Sequence, residues 1–249
     1  MSASSTAGLD QALDFRDECD ALHAALENAP AEVWAEPTQF KAIQTLGYIP
    51  ITQFHLVAKK PFWESDGLSP SMWTDGLLGM VLATKFHGRT TAGIITETEA
   101  YNGATDRASH AHGGKVTPRN RIMYGGPGHA YVYLCYGIHH LFNVVTNGPG
   151  VAHAVLIRAI HPLEGKDLML RRRKTKLLST SGPGMLTQAL GIRTRHNGTD
   201  LLNGPIWLED RGYIIPAHAI ITGPRIGVDY AGADALLPYR FHFDPLCLP

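Results

Sequence analysis

Cysteine is scarce in this chain of 249 residues, which has only three. Cys19, Cys135 and Cys247 are far apart, and no two of them form a CxxC pair. A zinc ribbon or a disulfide framework needs closely spaced or paired cysteines, so the sequence argues against both. We therefore expect a protein of a reducing, intracellular compartment.

Long hydrophobic runs are also missing. No stretch approaches the roughly 18 apolar residues that a membrane-spanning helix needs. The first ten residues lack the basic segment followed by an apolar one that marks a secretory signal. Because 44% of the residues are hydrophobic and 18% are charged, the composition is that of an ordinary soluble protein, and we expect no membrane association.

An excess of charge of either sign is the third absence. The 22 Lys and Arg residues balance the 22 Asp and Glu residues, whereas a nucleic-acid-binding protein usually presents a basic face. The acids are unevenly distributed, however. Residues 1–39 carry eight acidic residues against one basic residue, Arg16, so the rest of the chain is net positive and still permits a basic face.

Periodicity divides the chain into two parts. Leu9, Leu13, Leu22 and Leu26 fall on one face of an amphipathic helix that Pro30 ends. We therefore predict an acidic helical segment with its lead-in over residues 1–62 and one mixed α+β domain over residues 63–249. Within this domain, strands are predicted at residues 93–101, 131–136, 142–146, 154–160, 206–209, 213–222 and 239–243, and a capped helix at residues 185–190.

A carboxylate and an aromatic ring are predicted to lie together on the strand that contains T-E-T-E-A-Y. Period-two alternation places Ile95, Glu97, Glu99 and Tyr101 on one face. A carboxylate can deprotonate water, so Glu99 is a candidate for hydrolysing a bond beside a flat ring, although an ordinary edge-strand glutamate remains the simpler interpretation. Glu97 would raise the proton affinity of one of the two acids, and we prefer a salt bridge to an arginine for it.

His110 and His112 form an HxH pair that suggests a metal site. Two imidazoles are weak evidence, since no third ligand follows at a motif spacing. A metal-dependent hydrolase that uses Glu97, Glu99, His110 and His112 stays open as an alternative. We favour His110 as a polar group of a ring-binding pocket and leave His112 unassigned.

A tyrosine-rich ribbon follows the histidines. Tyr131, Tyr133 and Tyr136 are either plain sheet aromatics or a stacking surface. In the functional interpretation, Tyr133 encloses an extruded base together with Tyr101 and His110. Tyr136 then fills the gap left in the duplex, which offsets part of the cost of unstacking.

The basic run at residues 171–176 also has a structural and a functional interpretation. It is either a solvated face or a surface that contacts phosphates. A non-catalytic nucleic-acid module that senses damage through Tyr136 and this run is therefore a further alternative.

Several longer motifs occur in order between residues 77 and 243. They are E-T-E-A-Y with a following His, T-P-R-N, A-Y-V-Y…Y-G-I-H…N, S-G-P-G…L-T-Q-A-L-G-I and P-R-I-G-V. Together they resemble the 3-methyladenine (alkyladenine) DNA glycosylase family. The segment G-H-A-Y-V-Y-L-C-Y-G-I-H resembles bacterial members of the family more closely than mammalian ones.

The resemblance implies a fold and an activity. The fold is a single compact α+β domain with a curved antiparallel β-sheet flanked by helices, here with an extra N-terminal helix. The activity is that of a monofunctional DNA glycosylase with no cofactor, no metal and no covalent lysine intermediate. Such an enzyme acts in base excision repair as a monomer in the cytoplasm or nucleoid, flipping alkylated or deaminated purines out of double-stranded DNA and hydrolysing the N-glycosidic bond.

The resemblance also implies roles for individual residues. Glu99 matches the acid that activates water, Arg158 matches an arginine that helps to hold the water, and Ile226 matches a position whose carbonyl joins them. The base pocket corresponds to Tyr101, His110, Tyr133 and Asn143, with the His110 amide reading the purine edge and Asn143 clashing with the exocyclic amine of guanine. The intercalating Tyr136 is flanked by Ile138 and His139, and DNA-backbone contacts correspond to Lys115, Thr117 and Gly227.

Three departures from the family pattern bear on DNA binding, and one of them is the net charge of zero, which is low for the family. Met185 stands where many members have a lysine that faces DNA, which should weaken attraction to the phosphate backbone. The acidic N-terminal segment and the loop at residues 61–73 have no counterpart in the pattern.

Overall fold

The computed structural model describes residues 75–248. The predicted N-terminal helix, the loop at residues 61–73 and the domain boundary at residue 63 lie outside these residues and stay predictions. The described part forms an α+β domain with a curved antiparallel sheet, which confirms the predicted fold class.

Eight strands and two α-helices form the regular structure of the described part. The strands are β1 (Val81–Phe86), β2 (Arg89–Asn102), β3 (Ala130–Cys135), β4 (His139–Val145), β5 (His153–Glu164), β6 (Ile206–Glu209), β7 (Ile221–Gly223) and β8 (Arg240–His242). The α-helices are α1 (Lys166–Arg173) and α2 (Pro183–Leu190). Short 3₁₀ helices lie at Asp75–Leu77, Gly103–Thr105, His112–Gly114, Arg121–Tyr124, Thr194–His196, Ala217–Ala219, Asp229–Leu236 and Pro245–Cys247.

Strand β2 organises the sheet. The order is β3-β4-β5-β2-β1-β6, with β8 pairing with β2 and β7 pairing with β8, and every pair is antiparallel. Strand β2 is 14 residues long. Its first half pairs with β1, whereas residues 97–99 pair with β8. Because β5 runs along much of its other edge, the second half of β2 lies between two strands that both supply side chains to the site.

Three irregularities interrupt the pairing of β2 with β5, and the two that lie beside the site concern Thr96 and Arg158. The register passes from Ile95–Ile160 to Glu97–Ala159 and then to Thr98–Ile157, so Thr96 is an extra residue on β2 and Arg158 an extra residue on β5. Bulges of this kind bend a strand and re-aim a side chain. The two insertions offset each other, so the register is restored beyond them.

The bulge also corrects one expectation from the sequence. Ile95 packs in the main hydrophobic core, whereas Glu99 accepts a hydrogen bond from Tyr101 and shares Arg158 with Glu97. The predicted alternation therefore holds from Glu97 to Tyr101 but not back to Ile95, because Thr96 inserts one residue between them.

The main core lies between the sheet and the two α-helices. Helix α2 contributes Leu186, Ala189 and Leu190, which recur at the spacing of one helix face. They pack with Val81, Leu82, Ile94, Phe142 and Ile157 from the sheet. A second cluster contains Ala111, Met123, Tyr131, Val145, Ala152 and Ala154 and supports the loop that carries His110. Packing thus fixes both α2 and this loop against the same sheet.

Most predicted elements are confirmed, many of them with boundaries shifted by one or more residues, and three of the differences have a local physical reason. The predicted strand at residues 213–222 is wrong except at its end, where β7 begins at Ile221. Pro216 has no N–H to donate, and a 3₁₀ helix follows it. Tyr136 lies beyond β3 in a turn, with φ of 50° next to Gly137 at 74°. The observed helix α2 begins at Pro183, two residues before the predicted start at residue 185. It ends at Leu190, as predicted, because Gly191 takes a left-handed conformation.

The described helices are also informative about membranes. None of them is long and apolar enough to cross a bilayer.

Candidate active site

A cavity of about 550 Å³ lies beside the second half of β2 and the β3–β4 hairpin. This volume is in the range of small-molecule sites and accommodates a purine. The lining brings together aromatic and polar side chains from distant parts of the chain: Tyr101, His110, Arg119, Tyr131, Tyr133, Asn143, Arg158, Ile226 and Tyr230. The mixture of flat rings and a few converging polar groups suits a planar ligand.

Glu99 is buried behind one wall of this cavity. Its side chain is 0% exposed. Its Oε1 accepts a hydrogen bond of 2.8 Å from the backbone N–H of Ile226 and lies 3.3 Å from Nη1 of Arg158. Its Oε2 accepts a 3.0 Å hydrogen bond from the Tyr101 hydroxyl. Both carboxyl oxygens therefore have partners, and these partners hold the carboxylate in one orientation.

Burial sets the electrostatics of Glu99. It raises the pKa of the carboxyl above its ordinary value, while Arg158, the Ile226 N–H and the Tyr101 hydroxyl each oppose the rise. Burial and the neighbouring Glu99 carboxylate in turn raise the pKa of Tyr101, which keeps this hydroxyl protonated as a donor. The result is a carboxylate with an increased proton affinity, as a general base requires.

Glu99 is separated from the cavity by the neighbours that contact its carboxylate. Glu99 does not itself line the cavity, whereas Tyr101, Arg158 and Ile226 all do, which corrects the expectation that Glu99 and Tyr101 both face the pocket. The predicted proximity of Glu99 to Tyr101 is confirmed. The Ile226 contact is made by the backbone amide, whereas the family resemblance implied a role for the carbonyl.

Arg158 lies between two carboxylates. Its Nε donates a 3.0 Å hydrogen bond to Oε1 of Glu97, and its Nη1 faces Glu99. Arg240 donates from Nη1 to the same Glu97 oxygen at 3.1 Å. The preferred interpretation of Glu97, a salt bridge to an arginine, is therefore confirmed. The backbone carbonyl of Arg158 accepts a bond from Gly182 N–H at 2.9 Å, which ties the bulge to the start of α2.

His110 forms the polar corner of the pocket. Its Nδ1 lies 2.8 Å from the Tyr131 hydroxyl, and its ring meets the edge of Tyr133 with centroids 4.6 Å apart. Burial, assisted by the nearby Arg119, lowers the pKa of His110 to about 4. Burial raises the pKa of Tyr131 to about 12. At neutral pH His110 is therefore uncharged, so it adds no positive charge to the pocket.

The T-P-R-N motif fixes the loop that carries His110. The Asn120 side chain donates to the carbonyls of His110 and Lys115, each at 2.8 Å. Its Oδ1 accepts from the Thr117 N–H at 2.6 Å and from the Thr117 hydroxyl at 3.0 Å. Asn120 is only 1% exposed, and these four bonds satisfy its amide. The T-P-R-N motif is recognisable in the sequence, but its pattern predicts no role for Asn120.

Three further pocket residues were not identified from the sequence. Arg119 places its guanidinium carbon 4.8 Å from the centroid of the Tyr133 ring. Tyr131, left open between core and function, is 1% exposed and bonds to His110. Tyr230 lines the cavity and donates to the Ala108 carbonyl at 3.2 Å. The only sequence signal for the first two was their place inside motifs, which does not reveal their contacts.

A buried ion pair supports Tyr101 from behind. Arg225 contacts Asp106 at 2.5 Å and 2.9 Å, and their side chains are 0% and 1% exposed. The same guanidinium donates to the Ala100 carbonyl and lies 4.9 Å from the Tyr101 ring centroid. Burial alone would raise the pKa of Asp106, but the Arg225 hydrogen bonds and two backbone N–H groups hold it below its ordinary value. The pair thus stays charged and fixes the ring.

Asn143 lies on β4 at the back of the cavity. It is directly opposite Tyr131 in the β3–β4 register and donates a 3.0 Å bond from Nδ2 to the Tyr131 carbonyl. Its side chain lines the cavity, and the residue is 3% exposed. Asn143 therefore lies in the pocket, as the sequence predicted.

The β3–β4 hairpin projects apolar side chains beside the cavity. Tyr136 is 88% exposed and Ile138 is 70% exposed. Tyr136 and His139 also line the cavity. Folding gives no reason to hold a tyrosine and an isoleucine in solvent at one turn, so the pair marks a contact surface.

The remaining predicted residues have separate locations. Gly227 and Met185 line the cavity, and Gly227 has φ of 75°. Lys115 is exposed and Thr117 is half-buried, and neither lines the cavity.

The metal hypothesis does not match the arrangement of its residues. His112 is exposed in the 3₁₀ helix His112–Gly114 and does not line the cavity. Among residues 75–248, no group of three or more His, Cys, Asp or Glu side chains is placed to hold a metal ion. Glu97, Glu99, His110 and His112 therefore do not form the ligand set that this alternative requires.

The class of protein follows from this geometry. A slot walled by flat rings, a buried carboxylate paired with an arginine, and an exposed aromatic turn beside the slot are the parts that an enzyme needs to draw a base out of a nucleic acid and act beside it.

Comparison with known proteins identifies the family. The family model described as Methylpurine-DNA glycosylase (MPG) matches residues 68–245. A protein of Chlamydia felis, named "Putative 3-methyladenine DNA glycosylase", is 47% identical over 169 residues, which cover 66% of this chain and 86% of that protein. A protein of Bacillus cytotoxicus with the same name is 41% identical over 197 residues, which cover 75% of this chain and 95% of that protein. The chain belongs to the methylpurine-DNA glycosylase family and is a DNA glycosylase of DNA repair.

Proposed function

We propose that this chain excises alkylated or deaminated purines from double-stranded DNA. The damaged nucleotide is flipped into the slot, and water activated by Glu99 hydrolyses its N-glycosidic bond. The names of the relatives support the 3-methyladenine class of substrate. The observation that carries the proposal is the buried Glu99 carboxylate, paired with Arg158 behind the wall of an aromatic slot.

The chemistry requires one base and one water. Arg158 and Ile226 contact Oε1 of Glu99 and also line the cavity, and in this proposal the attacking water lies at the part of the wall that they form. Glu99 takes a proton from this water as its oxygen bonds to C1′ of the sugar. The C1′–N bond breaks, and its electron pair leaves with the purine. The products are the free base and an abasic site.

The aromatic walls account for binding of a planar base. Tyr101 and Tyr133 provide stacking surfaces, and the neutral His110 forms a polar edge beside Tyr133. A cationic alkylated purine leaves readily because it already carries positive charge, whereas a neutral damaged purine needs a proton. In this proposal Asn143, whose Nδ2 donates to the Tyr131 carbonyl, clashes with the exocyclic amine of normal guanine.

The exposed hairpin accounts for flipping. Tyr136, flanked by Ile138 and His139, inserts into the gap that the extruded nucleotide leaves in the bent duplex. Lys115, Thr117 and Gly227 contact the DNA backbone in this proposal. The enzyme acts as a monomer on the minor-groove side of the duplex.

The Glu99→Gln variant tests the proposal. We expect excision to fall by at least about 100-fold, because the general base is lost, while duplex binding is retained. The measurement is base release from duplexes that carry 3-methyladenine, 7-methylguanine, hypoxanthine or etheno-adenine, together with binding to the same duplexes.

A matched control uses the same chemical change far from the cavity. Glu209 pairs with Arg211 on the surface and does not line the cavity, so Glu209→Gln should excise as the wild type does. Normal turnover by Glu99→Gln would remove Glu99 from the mechanism. Absence of free base with the wild-type chain on every duplex would instead favour the non-catalytic module.

A further inference from the structure

Four alternating charges run from the surface to Glu99. Arg240 donates from Nη1 to Glu97 Oε1 at 3.1 Å, Arg158 donates from Nε to the same oxygen at 3.0 Å, and Arg158 Nη1 lies 3.3 Å from Glu99 Oε1. Exposure falls along this series, from 24% for Arg240 to 15% for Glu97, 11% for Arg158 and 0% for Glu99. The charges therefore interact where solvent screens them progressively less.

Glu97 determines the orientation of Arg158. A guanidinium group is planar, and its N–H groups point in fixed directions. Once Nε–H is directed at Glu97, the direction of Nη1 toward Glu99 follows. The bulges at Thr96 and Arg158 place the two residues for this contact, because they re-aim side chains at the point where β2 and β5 fall out of register.

Arg240 limits how strongly Glu97 competes for Arg158. Without Arg240, the Glu97 carboxylate would have Arg158 as its one hydrogen-bonded cation among the described residues. Arg240 lies directly opposite Glu99 in the β2–β8 register, yet its side chain reaches Glu97 and the Pro224 carbonyl. It thus supplies positive charge to Glu97 and leaves part of the charge of Arg158 for Glu99.

We propose that Glu97 is a positioning residue of the glycosylase site: it orients Arg158 toward Glu99, and Arg240 balances its charge. The proposal rests on the function proposed above for Glu99. Glu97 itself contacts neither the cavity nor a base, since it acts only through Arg158.

The charged groups around Glu99 make this proposal measurable by pH. They come from every neighbouring element: Glu97 and Tyr101 on β2, Arg158 on β5, Arg225 before the 3₁₀ helix Asp229–Leu236, and Arg240 on β8. His242 on β8 lies opposite Glu97 in the strand register. Glu97 raises the pKa of Glu99 by charge repulsion, whereas Arg158 lowers it.

Two variants with opposite charge changes test the proposal. Glu97→Gln keeps an oxygen that accepts the Arg158 bond but removes the negative charge, so the acid limb of the rate profile should move to lower pH by about half a unit or more. Arg240→Gln removes the balancing cation, so the limb should move to higher pH. The measurement is the single-turnover rate of base release against pH, on the damaged duplex that the wild-type chain processes fastest.

A third variant separates charge from orientation. Glu97→Ala removes the acceptor for Arg158, and the plateau rate should fall by about tenfold or more because the guanidinium loses its direction. Glu97→Gln should recover most of this loss. Glu209→Gln, the same change in the surface pair with Arg211, should keep the wild-type profile.

The outcomes that contradict the proposal are distinct from failure of the function itself. Acid limbs of Glu97→Gln and Arg240→Gln that coincide with the wild-type limb would show a purely structural salt bridge and overturn it, and so would a wild-type plateau rate in Glu97→Ala. If Glu97→Ala does not fold, the acid limbs of Glu97→Gln and Arg240→Gln are sufficient to test the proposal. Full activity in Glu99→Gln would overturn the proposed function, whereas an inactive Glu99→Gln beside unshifted Glu97 variants overturns only the role of Glu97.

Discussion

The Glu99 carboxyl illustrates how one residue trades stability for reactivity. It is fully buried and still has an arginine and two hydrogen-bond donors, Tyr101 and the Ile226 N–H. Burial outweighs these partners and raises its pKa. A carboxyl group with a raised pKa in the folded state favours folding most in its protonated form, and this contribution is lost as the pH rises through the folded-state pKa. Ionised Glu99 therefore costs stability at neutral pH.

Two measurable consequences follow for Glu99. Because the ionised form of Glu99 is the proposed base, activity should fall as the pH falls through its raised pKa. The pH at which the rate is half-maximal should therefore lie above 4.5, the ordinary pKa of a glutamate. The Glu99→Gln variant should melt at a temperature no lower than that of the wild type at neutral pH, since it removes a buried charge. Rate profiles against pH and thermal unfolding of both chains check this. A midpoint of the acid limb at or below pH 4.5, or a much lower melting temperature for Glu99→Gln than for the wild type, would contradict a raised pKa of Glu99.

At the scale of elements, the β3–β4 hairpin and the β2–β5 pair have different tasks. The hairpin ends in a turn in which Tyr136 has φ of 50°, a region that favours glycine. A tyrosine there is strained and 88% exposed, so its presence serves contact rather than folding. Strands β2 and β5 are the long central strands, and their paired bulges lie where the proposed catalytic carboxylate, Glu99, meets Arg158.

The hairpin makes a specific prediction. Tyr136→Gly should leave the melting temperature unchanged or slightly raised, because it relieves the left-handed backbone, while excision from duplex DNA falls by about tenfold or more because nothing fills the gap of the flipped nucleotide. Base release and thermal unfolding are measured in parallel. Leu246→Ala is the control, since Leu246 is 90% exposed but does not line the cavity. Equal loss in both variants would contradict a special role for the hairpin.

At the scale of the whole molecule, charge distribution matters more than total charge. The chain is neutral overall, and eight of its acidic residues precede residue 40. The DNA-facing side must therefore obtain its attraction locally. Met185, in the first turn of α2, lines the cavity at the position where the family resemblance predicts a lysine. Duplex binding should consequently depend less on salt than in a member with that lysine.

Restoring the lysine tests this view. Met185→Lys should tighten duplex binding and steepen the slope of log affinity against log salt by about 0.9, the value for one additional phosphate contact. Binding is measured at several salt concentrations. Ile214→Lys adds the same charge at a 76% exposed position outside the cavity lining and should change the slope far less. Equal slopes in the two variants would show that Met185 does not face the phosphates.

The order of the motifs along the chain was sufficient to predict the family and the fold class, and it indicated Tyr101 and Tyr133 as aromatic residues of the pocket, both of which line the cavity. The positions of β6 and of the end of α2 also follow from local preferences, since Gly191 takes the left-handed conformation that commonly ends a helix. Residues 75–248 do not include the acidic N-terminal segment, whose predicted helix stays a prediction.

Only the tertiary structure decided how the residues of the site contact one another. Glu99 and Ile226 are 127 residues apart, and no local pattern encodes their bond. The bulges that direct Arg158, the stacking of Arg119 on Tyr133 and the support of Tyr101 by Arg225 depend on strand register and on packing between distant segments. Such contacts arise from the closure of long loops over a shared core, whereas sequence periodicity reports only which face of an element is buried.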